Sequence, residues 1–213
     1  MDRNLGNGFM KISQFRKRFD AEGDILVALG SNAAQDIDQS VKYLDRALAA
    51  LRGQIDPELR VSRYYRSPAF PAGSGPDYIN AAVRMTSALD PVSLLKSLHD
   101  IEAAAGRTRE IRWGQRVLDL DLIAAGSRIL PGPREVRRWI DLPLEEQMKS
   151  APGELILPHP RLQDRGFVLV PLRDIAPDWR HPVLRRTVRQ MVEALPDEAV
   201  KTVIPLAISE SRP

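Results

Sequence analysis

Cysteine is absent from the 213 residues. That excludes disulfides, zinc–thiolate centres and thiol nucleophiles together, and it points to a reducing cytoplasm. Long apolar runs are missing too, since none approaches the roughly 18 residues of a membrane span. Residues 1–23 lack the continuous apolar stretch of a signal peptide. They place Lys11, Arg16, Lys17 and Arg18 beside Ile12, Phe15 and Phe19. This reads as a flexible tail or a start assigned too early, with Met10 as the other start; a membrane or partner contact is the alternative. Neither G-x-x-x-x-G-K-[ST] nor G-x-G-x-x-G occurs, so a P-loop enzyme is excluded.

What is present is ordinary globular composition, 43% hydrophobic and 28% charged, enough for one well-buried domain. Net charge is +3 and the pI about 9.4, a basicity that leans on arginine. It suits phosphate ligands and nucleic acid equally.

Asp24–Ser31 (DILVALGS) reads as a buried strand running into a turn at Gly30. Ile37, Val41, Leu44, Leu48 and Leu51 recur at helical spacing, which predicts an amphipathic helix over Asp36–Arg52 ended by Gly53. Leu59–Arg66 is a strand, 67–77 a Pro/Gly loop, and Tyr78–Ser87 a second long strand. Asp90-Pro91 caps a helix that runs to Ala105 and stops at Gly106. An arginine-rich loop, 106–116, leads into a strand over Val117–Ala124. The order βαββαβ predicts an α+β, ferredoxin-like fold with two helices against one face of an antiparallel sheet. After it come a Pro- and charge-rich stretch (127–154), the loop LILPHPRLQDRG, an apolar helix around Phe167–Ile175 and a short tail. The domain is placed at 24–180, with 181–213 as its C-terminal extension.

Leu118–Leu122 (LDLDL) alternates with strand period. Asp119 and Asp121 therefore share one face while three leucines enter the core. Two carboxylates on one rigid strand suit a hard cation such as magnesium, whose shell is completed by phosphate oxygens and water. A solvated strand face with incidental acids is the plain alternative. The preceding loop gathers Arg107, Arg109, Arg112 and Arg116 around Trp113, with Glu110 as the lone acid. Guanidinium forks match phosphate oxygens, and so many cations together call for an anion. Carboxylates beside arginines make a nucleotide-triphosphate site the favoured reading over a mobile surface loop. His99 and Glu102, three apart, share a helix face; a half-exposed helix histidine is the other reading of His99.

These segments resemble the 6-hydroxymethyl-7,8-dihydropterin pyrophosphokinases of the folate pathway. The resemblance rests on LGSN (29–32), SRYYRSPAF (62–70), PDYINAAV (76–83), IEAAAGRTR (101–109), RWGQRVLDLDLI (112–123) and LPHPRLQDRGFVLVPLRDIAP (157–177). They follow the family's order over about residues 24–180.

The resemblance implies transfer of the β,γ-diphosphate of ATP to the pterin hydroxymethyl group, releasing AMP. Asp119 and Asp121 would bind two magnesium ions. Arg107, Arg109 and Arg116 would neutralise charge on the transferred group, Arg109 belonging to a mobile loop that closes over ATP. His99, Glu102, His159 and Arg165 match further ATP ligands. Phe167 and Trp113 would sandwich the pterin, Asn80 would bond its pyrimidine edge, and Ser67, Pro68, Phe70 and Tyr78 would shape the wall. Read locally, Phe167 is a core residue and Asn80 a strand-edge turn residue. Such chemistry relies on positioning and charge stabilisation more than on a protein base. ATP and the pterin are the expected partners, without nucleic acid or membrane, and the chain is expected to be a cytoplasmic monomer.

The chain departs from the family pattern in several places. Ser67 stands where threonine is common, His99 where glutamine is, and Pro160 where an aromatic is commoner. The loop between Arg109 and Trp113 is one residue short, and residues 132–153 read as an insertion. Its Trp139, Ile140, Leu142 and Leu144 could pack on the domain or on a partner. The rivals are a ferredoxin-like RNA-binding module, a nucleotidyltransferase and an inactive scaffold relative. The first needs exposed aromatics on its central strands, whereas the last strand here displays aspartates. The second needs its Gly-Ser turn just before the acidic pair, far from Gly30-Ser31. The third is disfavoured by the intact acidic and arginine positions.

Overall fold

The structure is a computed structural model that describes residues 23–33, 36–69, 75–106, 117–149 and 152–207. Strand β1 (Ile25–Ser31) is followed by helix α1 (Ile37–Gln54), which starts where Asp36 accepts the Asp38 N–H at 2.9 Å. A cap of this kind stabilises a helix by about 1 kcal/mol. The buried stripe of α1 is Val41, Leu44, Ala47, Leu48 and Leu51. Strands β2 (Arg60–Val61), β3 (Tyr65–Ser67) and β4 (Tyr78–Met85) follow. Helix α2 (Pro91–Ala104) is capped by Asp90, whose carboxylate accepts the Val92 and Ser93 N–H groups. Strand β5 (Asp119–Ala125) closes the βαββαβ series.

The sheet order is β5-β1-β4-β3-β6, with β2 also on β4, and every pair is antiparallel. The α+β, ferredoxin-like expectation holds. On one face α1 and α2 bury Val27, Leu29, Ile79, Ala81, Val83, Leu118, Leu120 and Leu122.

The single strand expected over Leu59–Arg66 is instead two short ones. Val61 pairs with Val83 and Tyr65 with Asn80, so three residues (62–64) oppose two (81–82). Ser62 bridges this bulge: its N–H donates to Ala82 O and its Oγ accepts the Ala82 N–H, each at 2.9 Å. One extra residue reverses the facing of everything after it. Strict alternation from Val61 would send Tyr65 and Ser67 toward the helices; the bulge turns them to the other face, beside Asn80.

The insertion forms α3 (Pro133–Asp141) and α4 (Leu144–Lys149). Val136 and Trp139 pack with Ile156, against Ile129, Ile140, Leu142 and Val183. The insertion thus covers this domain with at least its Trp139 side. Helix α5 (Gly166–Ile175), the apolar helix expected around Phe167–Ile175, lies on the second face of the sheet, a position the sequence did not give. Its Val168, Leu169, Leu172 and Ile175 bury Leu26, Ala28, Ala82, Ile123 and Ala124. Coverage on both faces accounts for the continuous apolar runs of β1 and β4.

The expected short tail carries α6 (Val188–Glu193), α7 (Asp197–Lys201) and β6 (Ile204–Pro205), of 6, 5 and 2 residues. Elements so short show no readable periodicity. β6 joins the sheet beside β3, and a Cβ on Gly166 would collide with the Ala199 carbonyl oxygen.

Candidate active site

The site lies on the second sheet face, beyond the N-terminal end of α5. Asp119 pairs with Gly30, Gly30 with Asn80, and Asn80 with Tyr65, forming one row across four strands. The next row is Asp121, Ala28 and Ala82. Gly30, Ala28 and Ala82 make a low floor between taller polar walls. A Cβ on Gly30 would occupy space 3.6 Å from Asn80 Oδ1.

As the alternation predicts, Leu118, Leu120 and Leu122 are buried in the helix-side core while Asp119 and Asp121 are half-buried on the opposite face. A second irregularity sets their limit. The register shifts between Leu26 and Val27, so Ile123 and Ala124 both join the α5 side. Two hydrogen bonds steady this strand. Ser31 Oγ donates to Val117 O at 2.7 Å, and the Leu120 N–H donates to Glu102 Oε1 at 2.7 Å. Glu102, 1% exposed, thus stands behind the edge strand. His99, one helical turn earlier, is half-buried.

Asn80 is 3% exposed and donates through Nδ2 to Ser67 Oγ at 2.9 Å. The side chain that reads locally as a strand-edge residue is therefore buried and fixed. Tyr78 is half-buried and Pro68 exposed nearby in sequence. Phe167 is 36% exposed, which departs from its local reading as core. The Arg165 guanidinium carbon lies 5.7 Å from its ring centroid, and Arg165 Nη1 lies 3.6 Å from Asp121 Oδ2. The turn before α5 thereby reaches both the carboxylates and the aromatic.

His159 is anchored by its N–H to Ile123 O at 2.8 Å, and its Nδ1 accepts the Arg161 N–H at 3.1 Å. The neutral ring therefore carries its proton on Nε2. Burial pushes its pKa down to about 3, helped by Arg165 and Arg161 and opposed by Asp119. The imidazole is a neutral donor, not an acid or a cation.

Of the sequence-predicted residues, Asp119, Asp121, Asn80, Ser67, His159, Arg165 and Phe167 are gathered around one end of this face. Arg107, Arg109, Arg112, Trp113, Arg116 and Phe70, with residues 1–22, lie outside the described residues. The sequence reading missed Gly30, Ala28, Ser31 and Ser62 as builders of the site. The signal for Ala28 and Gly30, small residues alternating along β1, was visible but took on meaning only through the pairing.

Among the described residues, no group of three or more His, Asp or Glu side chains converges as a ready metal cage. Two carboxylates are what magnesium commonly takes from protein when substrate phosphates supply further oxygens. The donor set fits.

The profile of the 7,8-dihydro-6-hydroxymethylpterin-pyrophosphokinase family matches residues 26–177. The chain belongs to this family. It is 40% identical to the 2-amino-4-hydroxy-6-hydroxymethyldihydropteridine pyrophosphokinase of Synechocystis sp., over 84% of this chain and 80% of that one. The protein of the same description from Pseudomonas aeruginosa is 35% identical over 83% of this chain and 94% of the relative. The wild-type Plasmodium falciparum HPPK-DHPS structure shares the fold, with a TM-score of 0.55 at 15% identity. That match covers 80% of this chain and 44% of the other. As a family member, the chain is a pyrophosphokinase of folate biosynthesis, acting on ATP and 6-hydroxymethyl-7,8-dihydropterin. The family's reaction depends on magnesium. No described helix is long and apolar enough to cross a membrane.

Proposed function

We propose that Asp119 and Asp121 hold two magnesium ions against the triphosphate of ATP while a pterin lies over Asn80 on the same sheet face. One observation carries this reading: Asp119, Gly30 and Asn80 form a single row. Two strand spacings, about 10 Å, separate the carboxylate from the amide, with only a glycine between them. That gap suits the transferred group. The bound ions would neutralise phosphate charge and bring the attacking hydroxyl to the β-phosphorus.

The chain's own residues do the rest. Arg165 and the neutral His159 donate to phosphate oxygens from one side, and Arg107, Arg109 and Arg116 do so from the preceding loop. Phe167 and Trp113 stack on the two pterin faces. Asn80, oriented by Ser67, meets the pyrimidine edge, and Pro68, Phe70 and Tyr78 close the wall. His99 contacts the nucleotide; Glu102 acts through the Leu120 N–H, holding β5 in place. The protein works as a cytoplasmic monomer, without nucleic acid or membrane.

The test is to supply MgATP and 6-hydroxymethyl-7,8-dihydropterin and identify the nucleotide product. AMP and pterin diphosphate in equal amounts are expected; ADP, or no pterin-dependent product, defeats the site reading. Manganese counted by spectroscopy beside a non-hydrolysable ATP analogue should give two ions per chain, and one ion would overturn that number.

A further inference from the structure

We propose that Arg161 is a further phosphate ligand, completing a donor wall with His159 and Arg165 opposite the aspartates. This rests on the triphosphate reading of the site. Arg161 opens the short 3₁₀ turn Leu162–Asp164, and its N–H fixes the His159 ring. Its side chain is 22% exposed, and its buried Nε has no hydrogen-bond partner. The nearby Asp164 Oδ2 is 4.0 Å from that Nε, beyond hydrogen-bond length. The same oxygen already accepts Gln163 Nε2–H at 2.9 Å.

Burial disfavours the charge on Arg161, and the nearby Arg165 guanidinium repels it, while Asp164 offsets part of both. A half-buried cation within repulsive range of another cation is a poor structural choice when either could point into water. It is a good choice where a multiply charged anion arrives between them, because a guanidinium fork binds phosphate oxygens in pairs. His159 Nε2–H adds a neutral donor on the same loop. The wall thus offers the most donors where a triphosphate needs them, and Asp119 and Asp121 supply the opposing carboxylates for its cations.

Arg161→Gln, with Arg161→Lys as the charge-keeping control, is titrated calorimetrically with α,β-methylene-ATP and magnesium and assayed for AMP release. The expected result is a rise of about ten- to a hundredfold in Kd for the analogue and in KM for MgATP. Lysine should recover part of it, while KM for the pterin and the melting temperature stay at wild-type values. If the wild type binds the analogue and releases AMP but folded Arg161→Gln binds equally well, Arg161 is no ligand. A wild type that fails to bind the analogue overturns the triphosphate reading itself, and the proposal with it. Should the glutamine variant not fold, the Arg161 Nε–H resonance of the isotope-labelled wild type decides: it must move on adding the analogue, and a stationary resonance refutes the contact.

Discussion

Asp24 and Asp121 stand toward opposite ends of one sheet face, about 13 Å apart along β1 by residue rise. The Asp24 side chain is 8% exposed and lies 2.7 Å from Arg84 Nη2. Arg84 also reaches the Ile175 carbonyl at the end of α5, at 3.4 Å. Asp121 is 36% exposed, and its arginine, Arg165, stays 3.6 Å away over an accessible aromatic ring. The first pair is closed and ties a helix end to the sheet. The second is loose and leaves carboxylate lone pairs for something brought in. Charge held tightly in the dry interior serves the fold, whereas charge held loosely at an opening serves a ligand.

Exchanging the substitutions between the two ends is the sharpest way to break this comparison. Asp119→Ala or Asp121→Ala should lower transfer about a thousandfold or more, with the melting temperature nearly unchanged. Near-normal turnover in either would remove the metal assignment. Asp24→Ala should do the reverse, costing about 3–5 kcal/mol in denaturant unfolding because Arg84 loses its buried partner. Its turnover per folded molecule should hold; a selective loss of turnover would make this end part of the site.

A smaller effect concerns His181, which is fully buried behind the same end, with Nδ1 accepting the Val183 and Leu184 N–H groups at 3.2 Å. Burial pushes its pKa down to about 4. The unfolded chain takes up a proton near 6.5 while the folded chain does not. Stability is therefore complete above 6.5 and falls as pH drops toward 4, by on the order of 3 kcal/mol. His181→Asn should make that limb of the unfolding curve shallower, with buried His159 supplying the remainder, and an unchanged limb would assign acid sensitivity elsewhere. Phe167→Ala should have the least effect, raising KM for the pterin about tenfold, as expected for one stacking contact, without loss of stability. A comparable rise in KM for MgATP would contradict the stacking role.

The alternation of LDLDL, the caps at Asp36 and Asp90, and the stripe of α1 were legible because each depends on neighbours within a few residues. The same holds for the motif strings that identify the family. Ser67 was named by resemblance alone. Simple alternation from Val61 would have sent it to the wrong face, since a bulge is a one-residue mismatch between strands and leaves no mark in either strand's own pattern. Glu102 was matched to an ATP ligand by resemblance; its hydrogen bond to the edge of β5, where an unpaired strand N–H needs an acceptor, joins separate elements and left no mark in the helix pattern. Gly166 stood in a family motif, but the reason for a glycine there is the Ala199 carbonyl packed against it.

The sequence by itself determined which elements form, which side of β5 carries acid and which family the chain joins. These are matters of period, local capping and chemical type. Only the tertiary structure decided that Asp119 and Asp121 share a floor with Asn80, that α5 covers the middle of that face, and that the Arg161 N–H fixes the His159 ring. Register, bulges and packing between segments far apart in the chain are joint properties of two partners, and no single stretch contains them.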